Sequence, residues 1–489
     1  MFLSQDFAQV FKQFQEEGLV ISPWLSGLDG SGRFDPGVFE FLEWEAREFA
    51  TTHWTEHEKV ASFGSLLIPD RFAYSAVYET AASTAVFLAH ERTGCLDVDE
   101  AIAQEAIQLV ERFVAKHGFG LFVEVYAYVA AYDNLQALKY YGSIPEREFL
   151  LGSWHRPWID YKLDDELMAA CVAGAMRVVL HDNRRYVELT DYGLYRYQMV
   201  REGLEKAGYL KQKLQLLHIS QFSAFKDFEA LAEENAPEFM SLRREFLDWT
   251  GIQPGMRVLE LGCAGGAFTF EAGLAERVGP TGQVIAMDPA PGMLARARSK
   301  GAAKGMDWVK FVQGRAEELP FEDHSFDAVV GSIFIHLTDI PIALEQMRRV
   351  AKSGGVVASY HPLELSYNVP FFVEWFAPVM ELARKRNDKP KTFLPDRETL
   401  PKAFAEAGLT QIERKDVSQV SLFHDPDKII DLYIEGIGLF QEELAELPWQ
   451  ARRDTVVQLR SRGKAVCRKY PEQERVIHVP NQMVRSIVR

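Results

Sequence analysis

Residues Met256 to Ala267, MRVLELGCAGGA, constrain the fold of this chain more than any other stretch. Val258, Leu259 and Leu261 form a short apolar run of the kind that makes a fully buried strand. Gly262, Gly265 and Gly266 follow at once, and Phe268 to Val278 reads as the next helix. A strand that runs into a glycine-rich bend and then a helix is the nucleotide-binding entry of a doubly wound α/β domain. Without a Cβ, the backbone passes close to a ligand and turns sharply into the helix. The spacing departs from the dinucleotide fingerprint G-x-G-x-x-G, because Cys263 and Ala264 follow Gly262. Glu260 stands just before the first glycine, and an acid there suits a cationic or amine-bearing ligand better than a pyrophosphate.

The pattern continues downstream. A second strand, Gln283–Met287, ends at Asp288, and an acid about 20 residues past a glycine turn is placed to accept both hydroxyls of a ribose. A third strand, Val309–Gln313, leads into Gly314 to Glu317. A fourth, Phe326–Gly331, leads into SIFIH, and a fifth, Gly355–Ser359, leads into Tyr360 and His361. Ligands of open α/β sheets bind at such carboxyl ends.

Four segments in this order, VLELGCAGG, VIAMDPAPGMLARAR, GRAEELPFEDHSFDAVVGSIFIHLTD and RRVAKSGGVVASYHP, carry a resemblance. From Glu260 to Pro362 the chain resembles the class I S-adenosylmethionine (SAM) methyltransferases, in the small-molecule branch that includes the ubiquinone and menaquinone enzymes. The resemblance covers roughly the second half of the chain and is silent on the first. It implies a Rossmann-like, doubly wound, seven-stranded sheet, SAM as cofactor and S-adenosylhomocysteine (SAH) as product. It assigns Glu260, Gly262, Cys263, Ala264 and Gly266 to the methionine end of SAM, and Asp288 with Pro289 to the ribose. Met293 flanks the adenine or sits in the core. Arg315 stands where the family often has an aspartate, and a guanidinium accepts no hydrogen bond. Adenine recognition then falls to the backbone around Gly314 and Ala316, with Glu317 as a further candidate. Ser332 and Ile333 lie where donor and acceptor meet. Phe222, Phe225, Phe334, Tyr360 and Tyr367 are candidates for the acceptor wall, and His336 and His361 for a base; each also has a plain structural reading.

Methyl transfer is an in-line displacement at an activated carbon, so the protein mainly aligns acceptor and donor and excludes water. A base is needed only if the acceptor must lose a proton. The aromatic-rich second half and the resemblance together predict a small, apolar or aromatic acceptor. Other readings are a nicotinamide enzyme, a SAM-binding enzyme of non-methylating chemistry, and a DNA-binding regulator that senses SAM. The first requires the G-x-G-x-x-G that is absent here.

Net charge is −16, which disfavours nucleic-acid binding, since phosphate contacts need clustered Lys and Arg. Four cysteines lie far apart with no C-x-x-C, which fits a reducing cytoplasm and argues against a zinc site or a disulfide framework. The sequence has no signal-peptide core at its start and no apolar run of the ~18 residues a membrane span needs.

Three regions are expected: a helical domain over 1–150, a winged-helix-like module over 151–218, and the catalytic domain over 219–489 with a helical insertion at about 421–470. In the helical region His53 and His57 lie one turn apart, which reads as a polar face rather than a metal site. The module carries a hairpin turn at Asp182–Asn183 with Arg184 and Arg185 beside it. Those arginines suit DNA phosphates, but the acidic chain favours a dimerisation and pocket-covering role, so a homodimer through the N-terminal half is expected. In the insertion, Phe423, Tyr433, Phe440 and Trp449 are available to wall an acceptor pocket, a dimer interface or a small core.

Overall fold

The structure, a computed structural model, describes residues 7–21, 36–53, 69–93, 97–150, 164–225, 228–365, 368–385 and 394–489. The chain divides into two units, one of Met1–Leu217 with Leu444–Asp454 and one of His218–Glu443 with Thr455–Arg489.

In the first unit the long apolar stretches form α1 (Phe7–Glu16), α2 (Pro36–His53), α3 (Pro69–Thr93), α4 (Glu100–His117) and α5 (Phe119–Tyr141). Asp99 caps α4 by accepting the Ile102 N–H at 2.8 Å. Ile102, Ala106, Val110 and Phe113 then recur on one buried face at helical spacing. Phe14 packs between Phe113 and Phe122, with ring centroids 5.0 and 5.9 Å away. His53 lies on the Phe49 ring at 3.9 Å, which gives it a packing role; His57 falls outside the described residues.

Next come β1 (Ser143–Pro145), α6 (Glu146–Leu150), α7 (Asp164–Val172), β2 (Met176–His181) and β3 (Arg184–Leu189), in a sheet of order β1-β3-β2. This sheet starts at Ser143, ahead of the boundary expected near 150. Asp182 and Asn183 both take positive φ (47° and 62°), as a tight hairpin of this hand requires. Thr190 accepts the Gly193 N–H at 3.0 Å and starts α8 (Asp191–Lys206). Two of the hairpin's cations are engaged: Arg185 holds Glu146 through two hydrogen bonds of 2.6 and 2.8 Å, and Arg177 holds Glu188 at 2.9 Å. Phosphate binding at the hairpin has to compete with these pairs. The late segment belongs here through Glu446, which pairs with Arg201 and takes the Gln136 amide on its carbonyl at 2.9 Å.

The helix α9 (Tyr209–Ala224) spans the division between the units. In the second unit α10 (Phe228–Asn235) and α11 (Phe239–Thr250) precede the sheet. Its strands are β4 (Arg257–Leu261), β5 (Gln283–Asp288), β6 (Val309–Gln313), β7 (Phe326–Ser332), β8 (Ala351–Pro362), β9 (Thr410–Leu422) and β10 (Val476–Ile487). The order β6-β5-β4-β7-β8-β10-β9 makes a seven-stranded sheet. The strands β4 to β8 pair in parallel, and β10 is antiparallel to both neighbours. Alternate side chains enter two cores. Leu259, Leu261 and Val329 meet Met347 on one face; Val258, Val284 and Val330 meet Phe246 on the other. This is the doubly wound α/β fold, and its order reverses between β5 and β7, on either side of β4. Ligands bind at such a switch point.

Three local readings differ from the structure. The helix expected over Phe268–Val278 is broken: Ala267–Glu271 forms a π-turn, Gly273 takes φ +95°, and a separate helix α12 (Leu274–Val278) follows. The fifth strand is longer than expected, beginning at Ala351. The two late strands expected on either side of Pro480 are one strand, β10. The Pro480 carbonyl accepts the Leu363 N–H at 2.8 Å just past the end of β8, so the missing proline N–H faces a side where no partner strand needs it. No helix among the described residues is long and apolar enough to cross a membrane.

Candidate active site

The bend after β4 alternates between left-handed and ordinary backbone, with φ +68° at Gly262, +46° at Ala264 and +92° at Gly266. The turn holds itself through its own N–H groups: Cys263 donates to the Met287 carbonyl at 3.1 Å, Ala264 to Asp288 at 2.8 Å and Gly266 to the Cys263 carbonyl at 2.8 Å. At Gly262 close approach demands glycine, since a Cβ there would lie 2.3 Å from the Phe334 Cβ. Ala264 is the exception, an alanine in a conformation that costs an L-residue roughly 1–2 kcal/mol. Ala264→Gly is therefore expected to stabilise the protein by about 1 kcal/mol in urea denaturation, and a destabilised variant would remove this account of the bend.

Asp288 closes the other side of the crevice. Its two oxygens accept N–H groups from Ala264 and Ala290, each at 2.8 Å. The carboxylate is thereby fixed across the bend, with lone pairs left for a ligand. Burial outweighs these bonds and pushes its pKa up to about 6. Glu260 is more deeply desolvated: burial pushes it up to about 8, although Thr269 on the π-turn donates to it at 2.6 Å. The broken helix thus has a role, because it sets Thr269 over Glu260. Burial also raises the Cys263 thiol, so it is an inert wall rather than a nucleophile.

Polar atoms without partners among the described residues mark the space beside the bend. Ser332 Oγ, at the carboxyl end of β7, is buried and unsatisfied. Glu229 on α10 reaches over the bend so closely that a Cβ on Gly265 would meet its Oε1, and that oxygen accepts no hydrogen bond. Lys300 stands 3.6 Å from Glu229. Nothing in the sequence pattern singled out Glu229; its segment reads only as a helix ahead of the sheet.

The structure places the remaining candidates as follows. Met293 is buried, and its sulfur takes a contact from Arg296 at 2.9 Å. Pro289 carries its carbonyl 3.3 Å from the Gln313 amide. Gly314 is packed by the Met287 methyl, and Ala316 is buried. Glu317 is engaged elsewhere, accepting the Asp339 N–H at 3.0 Å, and Arg315 lies exposed 3.7 Å from Glu317.

Beyond β7 the chain opens onto a cavity of about 210 Å³. Its wall includes Ile333 and His336 after β7, Phe228 and Phe239 from α10 and α11, and Phe372, Phe423, Tyr433 and Phe440 from the later helices and loops. Three aromatics of the insertion therefore line it. The expected wall is corrected in several places. Phe334 turns inward instead, because Ile333 takes φ +61°; its ring packs on Gly331, where a Cβ would lie 2.1 Å away. Tyr360 points into the sheet core beside Phe246 and is fully buried. Phe225 packs against Gly436 and Phe228, and Phe222 against His218 and Phe228, behind the lining. Tyr367 lies outside the described residues.

Of the two candidate bases, His336 is on the cavity wall and His361 is buried in β8. Burial pushes both imidazoles down to about 3, so both are neutral at pH 7. His336 Nδ1 and both nitrogens of His361 find no partner among the described residues. Arg243, on α11, is the one charged side chain in the described lining; it was unremarkable in sequence, lying within an ordinary amphipathic stretch. No group of three or more metal-ligating side chains occurs among the described residues.

A doubly wound sheet with a fixed acid across a glycine bend at its switch point defines a nucleoside-binding α/β enzyme. Comparison with known proteins sharpens the class. Residues 258–355 match the methyltransferase domain family. A demethylmenaquinone methyltransferase of Bacillus cytotoxicus is 32% identical over 187 residues, 35% of this chain and 78% of that protein. A demethylmenaquinone methyltransferase of Staphylococcus aureus is 33% identical over 184 residues, 35% of this chain and 74% of that one. Among solved structures, a SAM dependent methyltransferase from Aquifex aeolicus aligns at 19% identity with TM-score 0.30, covering 39% of this chain and 92% of the other. The chain belongs to the class I SAM-dependent methyltransferases by its second unit. The residues of the crevice fit that cofactor: an ionisable acid with free lone pairs, an unsatisfied serine hydroxyl and a carboxylate over the bend answer its ribose and ammonium groups.

Proposed function

We propose that the second unit methylates a small, largely apolar, aromatic acceptor held in the cavity beyond β7. The observation that carries this reading is the cavity wall itself, in which aromatic side chains from four separate segments meet Ile333 and His336 beside the cofactor crevice. SAM, when bound, supplies a methyl group already activated by its sulfonium. The chain's own residues do the rest. Asp288 orients the nucleoside through its ribose, and Glu229 and the bend receive the amino acid end. The aromatic wall excludes water and holds the acceptor against the carboxyl end of β7. His336 enters as a neutral hydrogen-bonding group. An imidazole held near pKa 3 takes a proton from a phenol poorly, so it positions the acceptor oxygen rather than serving as its base. Relatives named for demethylmenaquinone support an aromatic acceptor.

The test is transfer of labelled methyl from SAM to reduced demethylmenaquinone and to smaller hydroxylated aromatics. Incorporation into one of these, reduced at least about tenfold by Phe440→Asp in the cavity wall, is expected, because a charged carboxylate replaces ring contact with a group incompatible with an apolar ligand. Transfer that is indifferent to Phe440→Asp would place the acceptor elsewhere.

A further inference from the structure

The cavity wall carries one formal charge among its described residues, and no carboxylate of the described residues touches it. Arg243 is only 5% exposed. Its Nη1 donates to the Phe239 carbonyl one turn back at 2.8 Å, and its guanidinium lies 3.7 Å over the Phe239 ring. These two contacts fix the side chain without neutralising it. No carboxylate among the described residues lies within ion-pair distance; Glu229, Glu233 and Glu260 act on it only from farther away. One of five N–H donors is thus accounted for, and the others are left for the cavity. Burial lowers its pKa to about 10, which leaves it charged throughout the neutral range. A desolvated, unpaired cation is costly, and proteins keep such groups where a ligand brings the countercharge.

We propose that Arg243 receives an anionic oxygen of the methyl acceptor, so that the substrate is an organic acid that places an apolar ring body in the cavity. This rests on the reading of the cavity as the acceptor site. The cavity has room for a ring body: one of 150 Å³ already holds benzene, and this one has about 210 Å³. The aromatic wall takes the rings, and the guanidinium takes a carboxylate or an ionised hydroxyl, which a planar donor fork fits well. A neutral ring of the same size leaves the cation unpaired and is discriminated against.

The test titrates full-length protein, with and without saturating SAH, with 1-naphthoate, 1-naphthol and the neutral isostere 1-naphthamide. The expected result is that naphthoate, or naphthol as its hydroxyl ionises, binds about ten- to a hundredfold more tightly than naphthamide. Naphthoate preference that is flat between pH 6 and 8 identifies a carboxylate as the anion; naphthol binding that tightens with pH identifies a phenolate. In Arg243→Met the preference disappears, and in Arg243→Lys it survives in part, while SAH affinity changes less than about threefold in both. Equal binding of acid and amide by the wild-type protein overturns the proposal without any variant. A preference that persists in Arg243→Met overturns it, and so does a tenfold or greater loss of SAH affinity in the variants, because the guanidinium would then hold the cofactor's own carboxylate. Failure of the wild-type protein to bind SAH, with the acid preference intact, counts against the methyl-transfer reading and leaves the anion site standing.

Discussion

Replacing Asp288 by alanine is expected to weaken SAH binding by at least about a hundredfold, since two hydroxyls donating to one carboxylate are each worth roughly 1.5–3 kcal/mol. The carboxylate oxygens are pinned by the Ala264 and Ala290 N–H groups, so binding needs no reorganisation of this side chain. The same substitution also orphans those two N–H groups and loosens the bend. Asp288→Asn tests the charge separately, because the amide keeps one acceptor oxygen. The proton does similar work: with a pKa near 6, the side chain loses its charge below that pH, and SAH affinity should then fall by up to about tenfold per pH unit. Calorimetry across pH 5 to 8 on the wild-type protein and on Asp288→Asn checks this. An acid limb that survives in the asparagine variant would assign the titration to another group.

The second large effect is on stability. Glu260 has a folded pKa of about 8 against an unfolded value of 4.5. A raised folded pKa means that the folded state binds the proton more tightly, so stability is fullest below the unfolded value and is lost as pH rises toward 8. At pH 7 the penalty is on the order of 3 kcal/mol, at 1.36 kcal/mol for each unit between 4.5 and 7. Glu260→Gln removes it and keeps an acceptor for the Thr269 hydroxyl. The variant is expected to be more stable than the wild-type protein in urea at pH 8 and nearly equal to it at pH 4.5, while binding SAH less well. A gain in stability that does not change with pH would mean that packing, not desolvated charge, is responsible.

What the sequence made legible is what local chemistry dictates. The glycine bend, the acid after the second strand and the apolar runs of β4 to β7 are each set by residues within a few positions of one another. The cavity wall is different. Phe239, Phe372 and Phe440 meet only because β9, β10 and their connecting helices fold back beside β8, and no periodicity announces that. Phe334 misled for a backbone reason: a left-handed Ile333 reverses the side to which the next ring points. Arg243 was hidden because an arginine on an amphipathic helix normally faces water. Only the Phe239 contacts turn it inward.

The assignment of Leu444–Asp454 to the first unit bears on how the polypeptide matures. Arg201 and its partner Glu446 are 245 positions apart. The amino-terminal unit is therefore expected to be completed only when nearly the whole polypeptide has left the ribosome. A gene cut between the two halves yields an amino-terminal product lacking one of its own pieces, and supplying residues 444–454 as a separate peptide should raise its melting temperature.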